Sequence, residues 1–173
     1  LIGGTVGDTL YLFGKAASVM TSAGIGIGVA YKFKEPVYVT LSAATAGMVG
    51  GYASKILAGT LIGEGGVVVL AGPGEPLGAF IAAIVGIELG HLVAGKTKID
   101  LLVTPFVTIV TGSTVGLLVG PPITRFMTGL GAIINWGTEQ QPFLMGIVVS
   151  VLMGMILTLP ISSAALGIIL NLS

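Results

Sequence analysis

LLVTPFVTIVTGSTVGLLVGPPIT, residues 101–124, runs for 24 positions without one Asp, Glu, Lys or Arg. A helix needs about 20 predominantly apolar residues to cross the hydrocarbon core of a bilayer. Three more stretches, 16–31, 36–54 and 140–173, are equally free of charge. Only helices and closed barrels satisfy their backbone inside lipid. A barrel would alternate apolar and polar positions in short segments, and these runs do not. The stretch therefore predicts an all-α fold, a polytopic transmembrane helix bundle.

The whole chain agrees with that reading. Charged residues make up 8% of its 173 positions and apolar residues 54%, where soluble domains carry roughly 25% charge. The mean hydropathy is +1.07. A soluble domain of this size needs more polar surface to cover its core. Lipid removes the need, because the outside can be as apolar as the inside. Seven basic residues balance seven acidic ones, so no basic patch is available to neutralise nucleic-acid phosphates. With no cysteine and one histidine, His91, a thiolate or histidine-rich metal site is excluded, and no cofactor is implied. The chain opens at Leu1 and ends in apolar sequence at Ser173; we expect one transmembrane domain over 1–173, part of a longer protein.

Breakers place the elements. A first helix is expected over about 10–31, ending at the turn Lys32-Phe33-Lys34-Glu35-Pro36, and a second over 37–57. A third covers 76–94 and ends at Gly95-Lys96-Thr97-Lys98. A fourth covers 101–119 and stops at Gly120-Pro121-Pro122. Residues 122–136 read as a short amphipathic piece lying in the interface, with Trp136 at headgroup level. Asn135, Glu139, Gln140 and Gln141 read as an interfacial loop. The last apolar run, 142–170, is too long for one span and is expected to break at Pro160, before Ser162 and Ser163. Residues 58–75 are too Gly-rich for a good helix and too apolar for an ordinary loop. They fit either a re-entrant hairpin buried in protein or an extramembrane loop. If the second and third helices form an out-and-back pair, loops 32–35 and 96–98 share one side. They hold four of the seven basic residues, which places that side in the cytoplasm; Lys55 and Arg125 fall opposite.

Glycines four apart, at Gly47/Gly51, Gly86/Gly90 and Gly112/Gly116/Gly120, predict close helix packing inside one bundle. Gly24, Gly26 and Gly28 alternate, and mark a helix that bends or borders a cavity.

An ionisable group inside a bilayer is a candidate for function. Glu88 and His91, three apart on the third helix, share a face. They form either a polar patch on a solute path or an interfacial pair near the helix end. Glu75 precedes Pro76 at a helix start, where the dipole stabilises a carboxylate; it is equally placed to bind a polyhydroxylated ligand. Thr104 beside Pro105, and Ser162 and Ser163 after Pro160, accompany helix breaks. Those breaks either hold solute on freed backbone groups or are kinks relieved by the hydroxyls. No enzyme motif is present: the Gly-rich stretch 63–74 lacks the Gly-Lys-Ser/Thr of a phosphate-binding loop.

Several segments are familiar in their order along the chain. Residues 78–90 (GAFIAAIVGIELG), 97–105 (TKIDLLVTP), Gly120-Pro121-Pro122, Asn135-Trp136, and 141–146 (QPFLMG) continuing to 159–165 (LPISSAA) together resemble the EIIC-like membrane proteins of the phosphotransferase system. Within that family they resemble the perfringolysin-regulator-like, or toxin-regulator, subgroup. The resemblance covers about residues 16–173, and its members are usually longer. It implies a multi-pass protein of the bacterial inner membrane, a homodimer surrounded by lipid, acting on a small-molecule solute with phosphotransferase-system partner proteins. Sugar-translocating members hold their sugar with a Glu and often a His. Here Glu75, Glu88 and His91 are the comparable residues, and none matches a defined sugar-binding motif. The resemblance therefore implies a permease for a small polar solute, a sugar being one candidate. The alternative is a membrane-embedded regulator or sensor that binds a ligand without net transport. A weaker third reading is an ion channel or proton-coupled carrier using Glu88 and His91.

Overall fold

The computed structural model describes residues 4–140 and 142–157. These residues are helical, apart from turns and one small hairpin. The chain divides into two compact units, residues 1–120 and 121–173.

In the first unit, the expected helix over 10–31 is two helices, α1 (Thr5–Val19) and α2 (Thr21–Lys32), bent by 47° at Met20. The two have different constraints. α1 buries none of its residues. α2 is drawn into the bundle through Ser22, Ala23, Gly26 and Ala30, and the Ser22 hydroxyl donates to the carbonyl of Pro73 at 2.7 Å. Packing sets the direction of α2 and leaves α1 free to depart from it.

The second expected helix, 37–57, is also interrupted, into α3 (Val37–Gly51) and α4 (Ala53–Leu57). The cause is a diverted carbonyl. In a continuous helix the Gly51 oxygen would accept from the amide four residues on; here it accepts from the backbone N–H of Glu75 at 2.6 Å. α5 (Pro76–Val93) matches the expectation. Proline occupies its first position, where a missing N–H costs nothing.

α2, α3 and α5 pack together, and their contact surfaces are mostly Ala, Gly and Ser. The buried set includes Ala30, Ala43, Ala46, Ala79, Ala82 and Ala83, with Ile87 and Val39 as the larger members. Such small side chains let backbones come close, which is how helices associate where lipid supplies no hydrophobic drive. α3 is short: 15 residues rise about 22 Å, against about 27 Å for the 18 of α5.

The largest departure is α6, one helix over Asp100–Gln140. A stop at Gly120-Pro121-Pro122 was expected, and the helix continues through it. Membrane-type helices accommodate proline because neighbouring helices and local adjustments satisfy the freed carbonyls. The boundary between the two compact units nevertheless falls at this proline pair. The readings of 122–136 as a separate interfacial piece and of 135–140 as a loop are corrected with it, since both lie in α6. Gln141 lies outside the described residues. Thr104-Pro105 is likewise inside the helix, not a break in it.

The spaced glycines interlock the first unit. A Cβ added to Gly112 would sit 2.7 Å from the Ala82 carbonyl oxygen and 3.1 Å from the Cα of Gly86. One added to Gly116 would sit 2.7 Å from the Cα of Gly50. The α6 stripe therefore lies directly on α3 and α5.

Residues 58–75 are folded. Leu61 and Val69 pair through a 2.8 Å backbone bond, and Ile62 bridges Val68 in antiparallel register. A 3-10 turn over Glu64–Gly66 closes this hairpin. Its return arm is tied to the bundle by Ser22, by the Tyr52 hydroxyl on the Gly72 carbonyl, and by Lys55 on the Ala71 carbonyl at 2.9 Å.

Among the described residues, two helical segments, Pro76–Val93 and Asp100–Ile133, are long and apolar enough to cross a membrane; the bent α1–α2 pair makes a third if taken as one span. The second unit holds the remainder of α6 and α7 (Pro142–Leu157), which carries no charge. Pro160, Ser162 and Ser163 lie outside the described residues.

Candidate functional site

One set of polar groups of the first unit gathers at the end where α2, α3, α5 and α6 meet the turns 33–36 and 94–99. α2 closes with a turn in which Lys34 adopts a left-handed conformation, φ 60°. The Lys34 N–H donates to the Tyr31 carbonyl at 3.0 Å and the Glu35 N–H to the Ala30 carbonyl at 3.1 Å. This pair of bonds is the Schellman arrangement, whose left-handed position is usually glycine. A lysine there carries a strain of roughly 1–2 kcal/mol. The turn points Glu35 back at α5.

α5 ends with Ala94 at φ −55°, ψ 130° and Gly95 at φ 75°. The Lys96 N–H donates to the Val93 carbonyl at 3.1 Å. These are the dihedrals of a type II turn, which asks for glycine at its third position. The turn leaves His91 facing Glu35. The imidazole Nδ1 lies 2.9 Å from Oε1 and 3.1 Å from Oε2 of Glu35. The Glu35 side chain is 6% exposed and that of His91 66%, so a covered carboxylate holds an accessible ring. A carboxylate only accepts hydrogen bonds. Against ionised Glu35 the ring must donate through Nδ1, which turns Nε2 to the cleft.

Beside this pair, the Tyr38 hydroxyl donates to Oδ2 of Asp100 at 2.9 Å, and Thr104 donates to Oδ1 at 2.6 Å. Asp100 begins α6, where the helix dipole favours negative charge. Thr104 is fully buried, and its carbonyl accepts from Thr108 at 2.9 Å. Both carboxylate oxygens of Asp100 are thus engaged, and Tyr38 ties α3 to α6. A cleft of about 630 Å³ opens over the Glu35–His91 pair and Tyr38, lined also by Lys34 and Lys96 among others. Its size falls within the roughly 300–1,000 Å³ of small-molecule sites. Both loops that the charge pattern assigned to one side line this cleft.

The candidates named from sequence separate. His91 and Thr104 come to this end, His91 paired with Glu35 and Thr104 with Asp100. Glu75 sits at the other end of α5, about 24 Å away along the axis at 1.5 Å per residue. There its N–H donates to Gly51, and one carboxylate oxygen is buried. Glu88 is exposed on α5 and does not line the cleft, so Glu75, Glu88 and His91 do not converge on one cavity. The partner of His91 is Glu35, not Glu88. Sequence reasoning missed Glu35, Tyr38 and Asp100. The signal for Glu35 was partial: the loops were assigned to one side, and Glu35 is the acid within the 32–35 loop.

A family model described as "Phosphotransferase system, EIIC" matches residues 1–173, the whole chain. No curated protein and no solved structure gives a match.

Proposed function

Since the chain belongs to the phosphotransferase-system EIIC family, we propose that it is a permease-like membrane component that moves a small polar solute, with a sugar as the first class to test. The family makes it a membrane protein of a sugar-transport system. The observation that carries the finer reading is the cleft over Glu35 and His91 at the end of an otherwise apolar bundle.

Each group there has a use. Nε2 of His91 and the hydroxyl oxygen of Tyr38 can accept hydrogen bonds from a polyhydroxylated solute. Glu35 fixes the ring so that this contact has a defined geometry. Lys34 and Lys96 flank the opening and favour partly anionic species. Glu75, Ser162 and Ser163 stay candidates for other stations on the path, and Glu88 for a contact with a second copy in a homodimer. Phosphotransferase-system partner proteins would supply the phosphoryl chemistry.

The test is uptake of a labelled sugar panel by proteoliposomes holding the purified protein, with Glu35→Gln, His91→Ala and Asp100→Asn beside wild type. Uptake of one sugar that falls at least tenfold in Glu35→Gln and His91→Ala supports the reading. Uptake indifferent to all three removes this cleft from the path. Saturable binding with no flux at all would replace the permease by a regulator that senses its ligand in the membrane.

A further inference from the structure

At the opposite end of the first unit lies a second cavity of a different chemistry. It measures about 340 Å³ and is lined by Met48, Tyr52, Ile56, Leu61, Ile62 and Val68, together with further apolar residues and Gly59. These come from the last turn of α3, from α4 and from the hairpin, so the diverted carbonyl that ends α3 also makes room for the cavity. No charged side chain lines it. Around its mouth Leu57, Ile62, Val67, Val68 and Val69 are each more than half exposed. A patch of that kind marks a contact with lipid or protein.

One cation stands at the rim. The Lys55 ammonium is 5.5 Å from the centre of the Tyr52 ring, and Tyr52 lines the cavity. The Lys55 ammonium donates to the carbonyl of Ala71, next to Leu70, at 2.9 Å, and Leu70 lines the cavity as well. An ammonium has three donors, so this contact fixes the position of Lys55 and leaves capacity for an anion. Tyrosine and lysine beside an apolar surface are what the lipid–water boundary selects.

We propose that this cavity holds one acyl chain of an anionic phospholipid whose phosphate is taken by Lys55. The uniform apolar lining fits a hydrocarbon tail and offers nothing to a sugar. The single cation at the mouth supplies the charge complement that a lipid headgroup needs. The site is independent of the His91 cleft, and nothing in the transport reading depends on it.

Native mass spectrometry of the purified full protein, washed in delipidating detergent and then offered phosphatidylglycerol or phosphatidylcholine, tests this. Wild type should retain one phosphatidylglycerol. Leu61→Trp, which fills the cavity, and Lys55→Gln, which removes the cation, should each lower that occupancy at least fivefold. Leu118→Trp, on an exposed position of α6, should not. Lys55 is exposed, so Lys55→Gln carries the test if Leu61→Trp fails to fold. Occupancy unchanged in Lys55→Gln, or equal retention of phosphatidylcholine by wild type, overturns the assignment. So does a lipid-free dimer that Leu61→Trp dissociates, which would make a second copy the occupant.

Discussion

At Lys34 a positively charged side chain occupies the left-handed position of a helix-closing turn. Lys34→Gly should therefore stabilise the fold by about 1 kcal/mol, by removing the Cβ strain. Thermal unfolding in detergent reads the gain, and a loss of stability would mean that the lysine side chain matters more than the turn. Glu35 and His91 call for the opposite expectation. Their pair opens to the cleft on the histidine side, so water can take the place of the ring against Glu35 and the net worth of the pair to stability is small. His91→Ala should leave the unfolding temperature nearly unchanged while lowering solute uptake at least tenfold. A large drop in stability would instead assign the pair a structural role. Tyr52 is fully covered, and its hydroxyl donates to Gly72. Tyr52→Phe leaves that carbonyl without this donor and should cost about 1–3 kcal/mol, with the hairpin loosening first in hydrogen exchange.

At the scale of the element, the glycine stripe of α6 decides packing. Gly112→Val places a side chain against the Ala82 carbonyl and the Gly86 backbone. Overpacking of this kind costs about 1–3 kcal/mol. Gly28 has nothing within 4 Å of an added Cβ, so Gly28→Ala should be neutral or stabilising. Denaturant titration of the two variants separates these outcomes, and equal effects would show that the stripe is not what holds α6 to its neighbours. The elements also show where sequence was a good guide. α5 was legible because Glu75-Pro76 opens it and Gly95 closes it, both local signals. The continuous α6 was not, because Pro121-Pro122 reads as a stop by local rules while lipid and neighbouring helices tolerate it. The breaks at Met20 and Tyr52 were illegible for a related reason. The break at Tyr52 goes with the Glu75 N–H taking the Gly51 carbonyl, and the direction of α2 after Met20 with the Ser22 bond to Pro73, each more than twenty positions away in the chain. The cleft was half legible: His91 stood out as the single imidazole, but its partner came from a turn that read as punctuation.

For the whole first unit, the folding of α3 between two turns puts loops 33–36 and 94–96 at one end and Lys55 at the other. The protein has no cysteine, so single-cysteine variants report orientation without background. Lys34→Cys and Lys96→Cys should react with a membrane-impermeant maleimide from the same face, and the positive-inside rule assigns that face to the cytoplasm. Lys55→Cys should react from the opposite face. Labelling of all three from one face would mean that α3 enters the membrane and returns without crossing it.

The shortness of α3 has an electrical consequence. If α3 alone crosses the bilayer, its rise of about 22 Å against a hydrocarbon core of roughly 30 Å must be met by local thinning of the bilayer or by water reaching in at one end. Either way the insulating layer around the first unit is narrower than in the surrounding membrane. A resting voltage then falls over a shorter distance there, and its gradient steepens in proportion. An ion or an ionised solute carried along this route would do its electrical work over fewer ångströms, and a small displacement near Asp100 would sense a larger share of the roughly 2.3 kcal/mol that 100 mV exerts on a unit charge.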